Sequence, residues 1–101
     1  MSIDLVLPPA AARFETRGAL MRVSGVSGGP IEFRVDEGLV FARFLGQAPL
    51  VWNDVSLTSV MAFFAADSPI STFLRQQGAL PLRQLLVASL TSSIDTTDDP
   101  A

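Results

Sequence analysis

A chain of 101 residues has the length of a single domain and can bury a core without staples. It contains no cysteine, histidine, lysine or tyrosine, and all seven basic residues are arginine. Disulfides, thiolate metal sites and catalysis by a histidine or lysine base are therefore excluded. The net charge of −3 comes from Asp95, Asp98 and Asp99, because the seven arginines and seven carboxylates of residues 1–94 cancel. The expected body is near neutral, with a short acidic tail.

In chain order, Met1 to Pro9 has no positive leader region and is broken by Pro8-Pro9. The longest apolar run, Val60 to Ala66, is too short to span a bilayer. A soluble, cytoplasmic protein is expected. Ile3 to Leu7 fits a short edge strand ended by the two prolines. Ala10 to Glu15 fits either one helical turn or an extended lead. From Gly18 to Gly25, Ala19, Met21 and Val23 alternate with Leu20, Arg22 and Ser24, which predicts a strand. Ser27-Gly28-Gly29-Pro30 is a turn cluster.

Ile31 to Leu45 is the clearest stretch. Ile31, Phe33 and Val35 alternate with Glu32, Arg34 and Asp36, the period of a strand with one buried face. Asp36-Glu37-Gly38 reads as a turn into a second strand, Leu39 to Leu45, that is apolar on both faces. A two-residue turn would set Val40, Ala42 and Phe44 on the Ile31 face; a three-residue turn would set Leu39 and Phe41 there. Pro49 to Trp52 could add a short fourth strand.

After Trp52 the period lengthens. Asn53 or Asp54 can cap a helix, and Leu57, Val60, Met61 and Phe64 follow one helical stripe with Val55 and Phe63 off it. Ser68-Pro69 predicts an N-cap and first position for a second helix, with Ile70, Phe73 and Leu74 inward and Gly78 as its stop. Pro81 opens a third helical pattern with Leu82, Leu85, Leu86 and Leu90 inward. The whole predicts one α+β domain over residues 1–93: an N-terminal antiparallel β-meander of three to four strands, then three short α-helices packed on one face. Residues 94–101 are expected to form a disordered acidic tail.

Gly25-Val26-Ser27-Gly28-Gly29 matches the G-x-S-x-G nucleophile pattern, but that motif needs a strand–turn–helix setting and a histidine, and this stretch joins two predicted strands. It reads as a hairpin turn. Asp36 and Glu37 lie in a turn, and Asp54 and Asp67 lie where helix caps are expected, so none calls for catalysis. No enzyme activity, cofactor or metal is expected.

Composition points instead to contact. Apolar residues make up 49 %, or about 56 % with the seven glycines, against roughly 45–50 % for average domains counted that way. That surplus in a small domain predicts a surface buried by a partner or a second copy. The function expected is a protein-interaction module, an adaptor, chaperone or inhibitor of a larger protein, acting as a homodimer. Trp52, Val55, Phe63, Leu39 and Phe41 are its candidate interface residues. The alternative is single-stranded nucleic-acid binding on a sheet face carrying Arg22, Arg34 and Arg43 among phenylalanines. The absence of lysine beside high alanine, leucine, proline and arginine points to a GC-rich bacterial or phage genome.

Overall fold

The computed structural model describes residues 2–81. Six strands come first, β1 (Ser2–Ile3), β2 (Arg13–Arg17), β3 (Leu20–Ser24), β4 (Ile31–Asp36), β5 (Leu39–Phe44) and β6 (Asn53–Val55). Two helices follow among the described residues, α1 (Leu57–Ala65) and α2 (Pro69–Gln76). The domain is α+β. The third helix expected from Pro81 and the acidic tail lie outside the described residues.

The hairpin at the centre forms because its turn is chemically fitted to two residues. Glu37 and Gly38 both take positive φ, 53° and 81°, which matches the twist of antiparallel strands and closes the Asp36–Leu39 pair. This turn decides the register: Ile31 faces Phe44, Phe33 faces Ala42, and Val35 faces Val40. Val40 and Ala42 therefore join the buried face, and Leu39 and Phe41 turn to the other side. β3 extends the same rows, with Met21 opposite Phe33 and Val23 opposite Ile31. β2 adds Phe14 opposite Val23.

The strand order is β1-β6-β5-β4-β3-β2, and β1 runs parallel to β6. Strands β2 to β5 form the expected antiparallel meander, and β6 and the parallel β1 extend it into a mixed six-stranded sheet. Two expectations change here. Asn53 and Asp54 do not cap a helix; they pair in β6, and Ser56 takes the cap, its side chain accepting from the Ser59 N–H at 3.2 Å. The short strand expected at Pro49–Trp52 begins only at Asn53.

α1 also turns differently from the expected stripe. Its buried residues are Ser59, Val60 and Phe63, while Met61 stays 37 % exposed. Ser59 is inward because its hydroxyl serves both backbone groups of Leu5: it accepts from the Leu5 N–H at 2.8 Å and donates to the Leu5 carbonyl at 3.0 Å. Ser56 N–H donates to the Ile3 carbonyl at 2.7 Å. These bonds moor the N-terminal segment to α1 and hold β1 beside β6. A polar residue in the buried row broke the apolar pattern that periodicity depends on.

α2 follows its expected plan. Ser68 caps it, Pro69 sits in its first turn, and Ile70, Phe73 and Leu74 are buried. Gly78 at φ 78° ends it: Ala79 N–H donates to the Leu74 carbonyl and Gly78 N–H to the Arg75 carbonyl, the paired bonds of a Schellman end. The chain then returns to the central turn, where Leu80 N–H donates to the Gly38 carbonyl at 2.9 Å.

The core lies between the helices and one sheet face, joining Met21, Val23, Phe33, Val55, Val60, Phe63, Ile70, Phe73 and Leu74. Phe33 and Phe63 meet edge to face, centroids 5.8 Å apart. Among the described residues no single helix is long and apolar enough to cross a membrane.

Candidate functional site

Alternation that buries one face of the sheet presents the other, and the register assembles that outer face in rows. The pairings place Glu15, Arg22, Glu32 and Arg43 side by side across β2 to β5. Continued past Ala42–Asn53, the same row reaches Trp52. The next row is Arg17, Leu20, Arg34, Phe41 and Asp54. Leu39 lies one step further, opposite Asp36.

Glu32 is the centre of the first row. It is only 5 % exposed although it points away from the core. Arg43 holds its Oε1 through Nη2 at 2.8 Å and Nε at 2.9 Å, and Arg22 lies 3.6 Å from Oε2. A carboxylate enclosed to this degree needs such partners, because an unpaired buried charge is costly. The two arginines thus both neutralise Glu32 and cover it with their stems.

The aromatic centre is next to it. The Arg34 guanidinium lies 4.8 Å from the ring centroid of Phe41 and 4.8 Å from that of Trp52, and the Arg43 guanidinium lies 4.4 Å from Trp52. Each contact is a cation–π interaction worth about 0.5–2 kcal/mol according to its exposure. Arg34 also reaches Asp36, Nη1 to Oδ2 at 3.5 Å. Trp52, Phe41 and Leu39 are half-buried, and exposed Leu50 and Val51 lie just before Trp52.

Three of the five expected interface residues, Trp52, Phe41 and Leu39, therefore share the outer face. The other two do not. Val55 and Phe63 are fully buried in the core. Val55 lies two residues from Asn53 on the inward side of β6, and the Ser59-led rotation of α1 turns Phe63 onto Phe33. Neither offers a surface to a partner. The expected nucleic-acid residues Arg22, Arg34 and Arg43 do come together, but as part of an ion-pair lattice. The outer rows hold five arginines (Arg13, Arg17, Arg22, Arg34 and Arg43) against Glu15, Glu32, Asp36 and Asp54, a balance of +1. Periodicity could not show Glu32 as the hub, since a lone acid on a polar face looks solvated.

The inner side offers a second concavity, a cleft of about 420 Å³ between residues 4–9 and the sheet, lined by Leu5, Leu7, Val26, Ile31 and Phe44 among others. Among the described residues its polar side chains are Asp4 and Ser27, too few to orient a ligand by converging groups. The Gly25–Gly29 stretch joins β3 to β4, and Ser27 is exposed. Among the described residues no three acidic side chains gather where they could hold a metal ion.

Comparison of the chain with protein-family models, with curated proteins and with solved structures finds no match.

Proposed function

We propose that this chain is a small protein-interaction module with no catalysis of its own, an adaptor, chaperone or inhibitor that works in the cytoplasm. Its contact surface is the outer face of the sheet around Trp52, Phe41 and Leu39, with Leu50 and Val51 at the rim. The observation that carries this reading is Arg34 held between the rings of Phe41 and Trp52. Tryptophan, aromatic and arginine side chains are the groups that dominate binding energy at protein interfaces, and rigid ones cost least entropy to bind. The stacking holds these side chains in place before any partner arrives.

Single-stranded nucleic acid fits this face less well. Bases stack on free ring faces, whereas two guanidinium groups already lie against the Trp52 ring. The near-cancelled charge also removes the field that phosphate binding relies on. The test is paired capture with the wild-type chain and Trp52→Ala as baits at low and high salt. A protein held by the wild type at both salt levels and lost by the variant is the expected result. Binding of single-stranded oligonucleotides that falls steeply with salt would replace this reading with the nucleic-acid one.

A further inference from the structure

The two edges of the sheet differ. β1 is two residues long, and the segment after it is tied to α1 through Ser59. β2 is five residues long, and Arg13, Glu15, Thr16 and Arg17 are all exposed. The two-residue turn Gly18-Ala19 closes on the Arg17–Leu20 pair, so Arg13, Glu15 and Arg17 direct their backbone groups to β3. Phe14 and Thr16 direct theirs outward. Among the described residues no strand pairs with them, and an open row of this kind is a template for another strand.

Charges on an edge usually discourage such pairing, but here they alternate in sign and so select a register. Antiparallel two-fold pairing of β2 with a second β2 can be centred on Phe14, Glu15 or Thr16 while keeping the open backbone groups opposed. Centring on Glu15 sets Glu15 against Glu15 and Arg13 against Arg17, all like charges and destabilising. Centring on Thr16 also sets Glu15 against Arg17 twice, but it runs Phe14 and Arg13 of each copy against Gly18 and Ala19 of the other, and Gly18 at φ 59° is held in the turn and cannot extend the ladder. Centring on Phe14 sets Arg13 against Glu15 twice, Phe14 against Phe14 and Ala12 against Thr16. It gives both acids an opposite charge, puts the two phenylalanines at the centre, and extends past the strand only to Ala12, which is not part of a turn.

A second observation coincides with this edge. A groove between β2 and α2, lined by Phe14, Thr16, Met21, Pro69, Phe73 and Gln76, opens on the inner side of the strand. Side chains of an added strand point alternately to the two faces, and Phe14 of the second copy falls on this inner side. Among the described residues Glu15 is engaged only by an exposed pair with Arg17 at 3.5 Å, a contact open to exchange with a facing arginine.

We infer that two copies of this chain join edge to edge through β2, antiparallel and centred on Phe14, with Arg13 of each copy paired to Glu15 of the other. The result is one continuous sheet whose outer face carries two Trp52 centres, so the interface is separate from the partner surface proposed above.

The test is mass in solution by light scattering or sedimentation, from low micromolar to hundreds of micromolar, with circular dichroism on every variant. The full chain is expected at twice its monomer mass. Arg13→Glu, which faces only Ser24 in its own sheet, turns both cross-copy pairs repulsive and raises the dimer dissociation constant by about tenfold or more. Glu15→Arg does the same, and an equimolar mixture of the two variants regains the dimer, because the charges are again opposite. Arg17→Glu and Trp52→Ala leave the mass unchanged. A wild-type chain that stays monomeric throughout overturns the inference. So does a dimer that survives Arg13→Glu, and one lost with Trp52→Ala alone would place the second copy on the outer face instead. If Glu15→Arg fails to fold, since it faces Arg22 in its own sheet, wild type, Arg13→Glu and Trp52→Ala still decide.

Discussion

The two faces of this sheet are built from the same strands and obey opposite rules. On the inner face the centre is apolar: Phe33, Val23, Met21 and Ala42 join Phe63, Val60, Ile70 and Phe73 in one core, and order comes from exclusion of water and close packing. On the outer face order comes from charge. Glu32 is as enclosed as a core residue, yet what encloses it is Arg22 and Arg43, and Arg34 is fixed by two aromatic rings. A buried residue therefore need not belong to a core. The inner face is bonded to the rest of its own chain. The outer face is organised without being covered by α1 or α2, as the proposed contact surface requires.

Substitutions can break this contrast at either face. The largest effect belongs to the inner one. Phe63→Glu places a charge among Phe33, Val55 and Ile70 and is expected to unfold the protein, read as loss of the circular dichroism transition. Phe63→Ala is expected to cost about 3–5 kcal/mol by the cavity it leaves. A folded Phe63→Glu variant that merely lost a partner would return Phe63 to the surface.

The next effect tests whether the outer face is held by its hub. Glu32→Ala leaves Arg22 and Arg43 facing each other without their carboxylate. Removing one member of a buried pair costs about 3–5 kcal/mol, and because both arginines are a quarter to a third exposed the expected loss is smaller, about 2 kcal/mol. Urea unfolding measures it. A loss that shrinks only slightly in high salt marks a shielded pair; one that vanishes marks an ordinary surface pair.

Ser59→Ala alters a side chain on neither face of the sheet and serves as a control. It strands both backbone groups of Leu5, at an expected cost of about 1–2 kcal/mol. Hydrogen exchange should quicken at Leu5 and Ser56 while β3 and β4 stay protected. The smallest stability effect is expected from Trp52→Ala, about 1 kcal/mol from the lost arginine contacts. Its effect on partner binding should be far larger, and that split between stability and binding separates the outer face from the core.

Much of this protein is determined by local chemistry. Period-two alternation marks β3 and β4, Glu37-Gly38 can take the two positive φ angles of a tight turn, and Ser68-Pro69 with Gly78 bounds α2. Those signals sit within a few residues of each other, so one sequence carries them without help from the rest of the chain. Other features depend on residues far apart and were settled by packing. β5 is apolar on both sides, and its pairing with β4 chose Val40 and Ala42 for the core and left Phe41 and Leu39 outside. Asn53 and Asp54 would suit a cap, yet the distant β1 offered a parallel neighbour and they became a strand. Ser59 reaches back 54 positions to Leu5, and that bond sets the rotation of α1, taking Phe63 inward. Glu32, Arg43 and Trp52 became one cluster for the same reason: side chains separated along the chain are neighbours only when the strands align, and alignment is a property of the whole sheet.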